Sequence, residues 1–324
     1  MSDLSPSSAT VEAPIFLVGS ERSGTTLLRL MLNAHPQVTW LNEFEYAVGM
    51  VSDTGELPAL QAYYSWLDTH RVFRMSKMTI DRRLSYPELV NSFLQQRLDT
   101  FNKPLVGATV HHHFDRLLTL WPQAKFIHIV RDPRAVSRSC VVKGWAGNVW
   151  VGLNRWIAAE RLWDKLSPQL AAENKLEIRY QDLVANNRPV LEQVCQFVGV
   201  EYSEQMMEYV HTTDYGLPNP KLIQNWKTKL TKREIQLIEA RVGAKLRERG
   251  FTLSGYAPIK LAALDKFYLK IQNWWARIVF RVRRYGLGLV IGDFVTRRIG
   301  ARQLHRHYQL KMNEIQLKQL KKSW

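Results

Sequence analysis

The chain has only two cysteines in 324 residues, Cys140 and Cys195, too few for a disulfide framework. Both fall in apolar, helix-like surroundings and are expected as buried thiols. No run approaches the ~18–20 apolar residues that a membrane span needs. The opening stretch, MSDLSPSSATVE, lacks a basic start and a hydrophobic core, so residues 1–13 read as a disordered tail and not as a secretory signal. These absences predict a cytoplasmic chain. Acidic residues are also short: 29 Asp and Glu stand against 45 Lys and Arg, a net charge of +16, which predicts an anionic partner. The deficit is uneven, because residues 259–324 hold 15 Lys and Arg against 3 acids, a net +12. The 46% apolar fraction is that of a chain with a real core. The length suits one large domain with an extension, or two domains.

What is present begins at Pro14–Pro36, PIFLVGSERSGTTLLRLMLNAHP. Ile15 to Val18 reads as a short strand buried on both faces. The turn Gly19-Ser20-Glu21-Arg22-Ser23-Gly24 follows, and then a helix carrying Leu27, Leu28, Leu30, Met31 and Leu32. Strand, glycine-bounded loop and helix form a phosphate cradle, with loop N–H groups pointing inward at the positive end of the helix. The spacing follows G-x-x-x-x-G-K-[ST] until the seventh position, where Thr25 replaces Lys. That Lys normally reaches the outer phosphates of a triphosphate, so a shorter anion is expected, held by N–H groups, hydroxyls and Arg22. The plain alternative is a turn with a Ser/Thr helix cap.

The run G-S-E-R-S-G-T-T-L resembles the 5′-phosphosulfate loop of sulfotransferases that use PAPS (3′-phosphoadenosine 5′-phosphosulfate). Its continuation L-R-L-M-L-N-A-H-P is similar to the tyrosylprotein and broad bacterial branches, and the likeness fades toward Tyr256. It implies an α/β fold, a P-loop-like central parallel sheet flanked by helices, over residues 14–256. Arg22, Ser23, Gly24, Thr25 and Thr26 would bind the phosphosulfate, and Arg22 would also stabilise charge on the bridging oxygen. By the same resemblance Glu43, after the strand Val38–Leu41, would take the proton of the acceptor hydroxyl, with Glu45 two residues on as the register alternative. A lysine that assists the leaving oxygen in many relatives is missing after the strand 105–108. Gly107 to His113 stands there instead, and a histidine is a candidate replacement; a metal site is disfavoured because neighbouring strand residues face opposite ways and no cysteine lies near.

Lys125 to Val130 predicts another strand, running into Arg131-Asp132-Pro133-Arg134, with Asp132 as cap and Pro133 in the first turn. V-R-D-P-R-x-x-x-x-S resembles the family's 3′-phosphate motif, which places that role on Arg131 and Ser139, with Lys143 at a supporting basic position. Leu176 to Leu183 resembles the final strand, Tyr180 being an adenosine contact. The region around Trp226 resembles the loop that closes over the nucleotide. The middle segment, with Arg71, Arg74, Lys77, Arg82 and Arg83, is assigned by analogy to acceptor recognition.

Residues 257–324 form a basic amphipathic extension. Leu264, Phe267, Tyr268, Ile271, Trp274, Trp275, Ile278 and Val282 recur at helical spacing, with Lys and Arg beside them. A basic helix with an aromatic face suits an anionic bilayer, peripheral at the inner membrane face. Packing on the domain or a homo-oligomer contact is the alternative, and no nucleic-acid motif accompanies the charge. The predicted reaction moves a sulfuryl group from PAPS to a hydroxyl or amine of an unidentified acceptor, a glycan or lipid-linked one included, with no metal. The rivals are a P-loop kinase-like phosphotransferase and a membrane-binding module with a non-catalytic nucleotide fold.

Overall fold

The computed structural model describes residues 10–318. Of the tail expected to be disordered, residues 1–9 lie outside the described residues; at its near end Val11 exchanges backbone hydrogen bonds with the Asn91 side chain, each 3.2 Å. Five strands, β1 (Ile15–Val18), β2 (Val38–Glu43), β3 (Leu105–Val110), β4 (Lys125–Val130) and β5 (Lys175–Arg179), form one sheet. All pair in parallel, in the order β2-β3-β1-β4-β5. The chain reverses its direction of winding at β1, so the crevice beyond the carboxyl ends of β1 and β4 is where ligands of open α/β sheets bind.

Alternation along β1 sends Phe16 and Val18 to one face and Ile15 and Leu17 to the other, each into its own core. Helix α1 (Thr25–Ala34) covers the second face with Leu28 and Met31. It stops at His35 before Pro36, and Lys103 Nζ donates to the carbonyls of Asn33, His35 and Val38 at 2.8–3.0 Å, satisfying acceptors left open at the helix end. Helix α2 (Tyr86–Phe101) begins with a Ser85–Glu88 capping box and packs Phe93 beneath the other face. A Cβ on Gly107 of β3 would lie 2.2 Å from the Trp40 ring; its absence lets that indole cross the sheet and donate to Thr109 Oγ1 at 3.0 Å. Cys140 and Cys195 are buried, and burial pushes both thiols up to about 11.

Helices α3 (Pro133–Val142), α4 (Asn154–Leu166), α5 (Asn187–Val198) and α6 (Lys232–Glu248) complete the layers. Asp132 caps α3 by accepting from Arg134 N at 2.9 Å, with Pro133 in its first turn, as the sequence predicts. The last strand is shorter than expected: it ends at Arg179, and Tyr180 opens a helical turn, Tyr180–Ala185.

The extension is three helices, α7 (Ala263–Tyr285), α8 (Leu287–Arg298) and α9 (Arg302–Leu317). α7 docks on the Gly144–Asn148 loop through small and amide residues. Gly147 N donates to Asn273 Oδ1 at 2.8 Å and Asn148 Nδ2 to Leu269 O at 2.7 Å. A Cβ on Gly144 would fall 2.3 Å from the Phe280 ring. The aromatic stripe lies largely on the opposite side: Leu264, Phe267, Tyr268, Trp274 and Trp275 are 56–77% exposed. α9 folds back on α8, where Gly292 leaves room for the Tyr308 ring.

Candidate active site

The turn after β1 places its groups by backbone constraint. Arg22 and Gly24 take positive φ, 70° and 98°. A Cβ on Gly24 would sit 2.2 Å from Tyr180 Cδ2, so only glycine allows both the left-handed backbone and the contact. Ser23 and Thr25 are buried while Thr26 is partly open.

This turn meets the motif after β4. Arg22 Nε donates to Ser139 Oγ at 2.9 Å, and Arg131 Nη1 donates to the Arg22 carbonyl at 3.0 Å. Arg131 lies over the Tyr180 ring, 4.1 Å from its centroid, and its carbonyl accepts from Trp156 Nε1 at 2.9 Å. Arg22, Ser139, Arg131, Gly24 and Tyr180, apart by up to 158 residue numbers, therefore form one contact chain. Ser23 Oγ and Arg131 Nε are buried and lack a hydrogen-bond partner among the described residues. Orphaned donors of this kind are costly unless a ligand pairs them, and both suit an anion.

A cavity of about 790 Å³ opens beside the loop, with Arg22, Thr25, Thr26, Glu43 and His111 in its wall. Ser23, Gly24, Arg131, Ser139 and Tyr180 do not line it; Arg22 touches Ser139 and Arg131 and is itself part of the wall. Glu43 ends β2, just past a register shift between Leu41 and Glu43. Glu45 does not line the cavity: it is partly buried and accepts from His111 N at 2.8 Å. Burial pushes its carboxyl up, only partly opposed by His111. The histidine triplet splits. His111 Nδ1 lies 2.9 Å from the Gly19 carbonyl oxygen, which can only accept, so that nitrogen carries a proton. His112 pairs with Glu21 at 3.0 Å, and that bond raises its imidazole above the ordinary range. His113 is in left-handed backbone. Burial would raise Glu21, yet His112, His111 and Arg155 together pull it down to about 2. No cluster of metal ligands occurs among the described residues.

Several groups in the wall were not anticipated. Arg29 is buried one helical turn after Thr25 and donates to Asn42 Oδ1; burial lowers it to about 10 while Glu43 resists the change. The i, i+4 spacing of Thr25 and Arg29 was a usable signal. Arg155, paired with Glu21 and stacked over Trp145 at 4.7 Å, and Tyr215 had none. From the extension come Arg277, Phe280, Arg281 and Arg284.

A parallel α/β sheet that sets the glycine-bounded loop after β1 against Arg131 and Ser139 after β4 defines an α/β protein with a crevice suited to an anionic ligand at its switch point. The match to the Sulfotransferase family model over residues 14–204 takes this further: the chain belongs to the sulfotransferase family. Among relatives, protein-tyrosine sulfotransferase 2 of Gallus gallus is 24% identical over 60% of this chain and 53% of its own length. An uncharacterized protein of Aquifex aeolicus is 27% identical over 61% of this chain and 27% of its own. The chain thus spans about a quarter to half of the length of these relatives. Nodulation protein NoeE of Sinorhizobium fredii is 24% identical over 80% of this chain and 73% of its own. In fold, the sulfotransferase domain from the olefin synthase of Synechococcus PCC 7002 superposes with a TM-score of 0.51 at 20% identity, over 73% of this chain and 98% of that domain. The kinase alternative gains nothing from these likenesses.

Proposed function

We propose that the protein transfers the sulfuryl group of PAPS to a hydroxyl of an acceptor held in the 790 Å³ cavity. The observation that carries this reading is the contact chain joining Arg22, Ser139 and Arg131 beside a cavity whose wall holds Glu43. PAPS supplies an electrophilic sulfur and a bisphosphate leaving group. Ser23, Thr25, Thr26 and the loop amides hold the 5′ end; Arg131 and Ser139 hold the 3′-phosphate. Ser139 Oγ accepts from Arg22 and keeps its own O–H to donate, so the two duties are compatible. Glu43 takes the acceptor proton. Arg22 and the loop N–H groups stabilise negative charge at the bridging oxygen, and His111, fixed by the Gly19 carbonyl, stands in for the missing lysine. Tyr180 acts on the adenosine through Arg131, which it supports.

The extension would bring this site to an anionic bilayer at the inner membrane face, since an exposed Trp/Phe stripe lies within the segment 259–324, whose net charge is +12. No helix among the described residues is long and apolar enough to cross a membrane. The test of the donor assignment is calorimetric titration with adenosine 3′,5′-bisphosphate, AMP and ATP. The bisphosphate should bind far more tightly than either; equal binding of AMP and the bisphosphate would overturn it. Turnover of labelled PAPS with fractionated acceptors then identifies the acceptor.

A further inference from the structure

The cavity wall carries far more positive charge than a donor nucleotide accounts for. On the donor assignment above, Arg22 and the loop are taken up by the donor, and Arg155 is paired with Glu21. Opposite them, α7 lays Arg277, Arg281 and Arg284 along one side of the same cavity. Arg281 is paired with Asp293 at 2.9 Å. Arg277 and Arg284 have no carboxylate within ion-pair distance among the described residues, and Arg284 Nε is buried without a hydrogen-bond partner. Among the described residues Glu43 is the one carboxylate in the wall. Three arginines on one face, spaced at i, i+4 and i+7, converge because α7 is held in place by Asn273 and Gln272 on the Gly147–Asn148 backbone and side chain. Phe280, Tyr285 and Met312 between them offer apolar surface for a carbon skeleton.

We propose that these arginines are an acceptor subsite: the hydroxyl compound taken by this cavity carries its own anionic group, a phosphate or carboxylate, which Arg277 and Arg284 hold while the hydroxyl faces Glu43. A planar guanidinium pairs such oxo-anions bidentately. Without the anion the buried Arg284 Nε stays unsatisfied, and with it that cost is offset. The extension is then a wall of the active site that selects the substrate.

This rests on the donor assignment above, and the experiment separates the two. Full-length protein is saturated with adenosine 3′,5′-bisphosphate and titrated calorimetrically with glycerol 3-phosphate, glycerate and glycerol. Binding of the two anions but not of glycerol is expected. Arg277→Ala and Arg284→Ala should each weaken anion binding by about tenfold or more and leave bisphosphate affinity unchanged, with Arg277→Lys intermediate. Competition by phosphatidylglycerol vesicles would assign the anion to a lipid headgroup, and its absence to a soluble acceptor. No preference for the anions over glycerol overturns the subsite. A fall in bisphosphate affinity in either alanine variant also overturns it, by giving those arginines to the donor. Failure of the bisphosphate itself to bind would strike the donor assignment instead.

Discussion

Arg22 and Arg277 reach the same cavity from opposite ends of the chain, and they are put there by different means. Arg22 is fixed by covalent geometry: a left-handed backbone, Gly24 against Tyr180, and two hydrogen bonds to the β4 motif. Arg277 is carried by a helix none of whose residues is fully buried, held by a few amide bonds and glycine contacts. The loop is pre-organised at the cost of local strain; the α7 wall is rigid only as far as its docking holds. On the proposed reading, chemistry that must be exact in position belongs to the first, and selection among acceptors can be left to the second.

The sharpest way to break this division is at Glu43. Glu43→Gln should lower turnover by ~10²–10⁴-fold, the usual contribution of a general base, with bisphosphate affinity unchanged by calorimetry. Glu45→Gln should be mild, because burial already favours the neutral acid and the amide still accepts from His111 N. Collapse of turnover in Glu45→Gln with survival in Glu43→Gln would move the base by two residues. Next comes Arg131→Ala, expected to reduce bisphosphate affinity by ~30–1000-fold, the loss of a buried charged partner, and to erase the preference over AMP. If Arg277→Ala gave the same loss, the loop and the wall would not be separate sites.

The loop was legible in the sequence because each of its parts has a local cause: an apolar strand, two glycines at fixed spacing, and helix-favouring leucines. So was the helix start after β4, where an Asp cap and a Pro in the first turn are a local signal. α7 was legible as a helix and not as a wall. Its apolar stripe announces a face that needs covering, but docking uses the other side, where Asn273, Ala276 and Phe280 meet Gly144 and Gly147. Amides against glycines leave no periodic hydrophobic signal. Arg29 escaped for a similar reason: among leucines a single arginine reads as surface, and only the fold shows it buried against Asn42.

A test of intermediate size concerns what makes the domain rigid apart from the extension. His128 of β4 is fully buried between Glu177, 2.9 Å away, and Glu160, 3.5 Å away, and stacks on Trp163 at 4.5 Å. Arg249 Nε joins Glu160 at 2.5 Å. Burial opposes charge on His128, but the two carboxylates win and raise its imidazole above the ordinary range. The folded state therefore holds this proton more tightly than the unfolded chain. Its stabilisation is complete below about pH 6.5 and is lost as pH rises through the raised folded value. His128→Phe keeps the stacking and should cost ~2–3 kcal/mol at pH 6, less than the ~3–5 of a fully broken buried pair because Arg249 still faces Glu160. Denaturant midpoints should show the variant losing most at low pH. An unchanged midpoint across pH 5–9 would mean the imidazole is neutral in the fold.

The smallest effect is expected on the outer face of α7. Trp274 and Trp275 are 56% and 57% exposed and pack edge-on to each other with ring centroids 5.1 Å apart. If that face lies on an anionic bilayer, each nearby Lys or Arg contributes about 1 kcal/mol and the aromatic rings add apolar burial. Replacing both with Trp274→Ala and Trp275→Ala removes part of the apolar share alone. Sedimentation with phosphatidylglycerol vesicles should then show binding weakened about tenfold, its salt dependence retained and bisphosphate affinity untouched. The inner arginines give the control: Arg284→Ala should alter anion binding in the cavity far more than vesicle sedimentation, because that side chain lines the cavity. Vesicle binding that ignores the two tryptophans but falls with Arg284→Ala would turn the helix round, making the arginine side the membrane face and leaving the stripe for another copy of the chain.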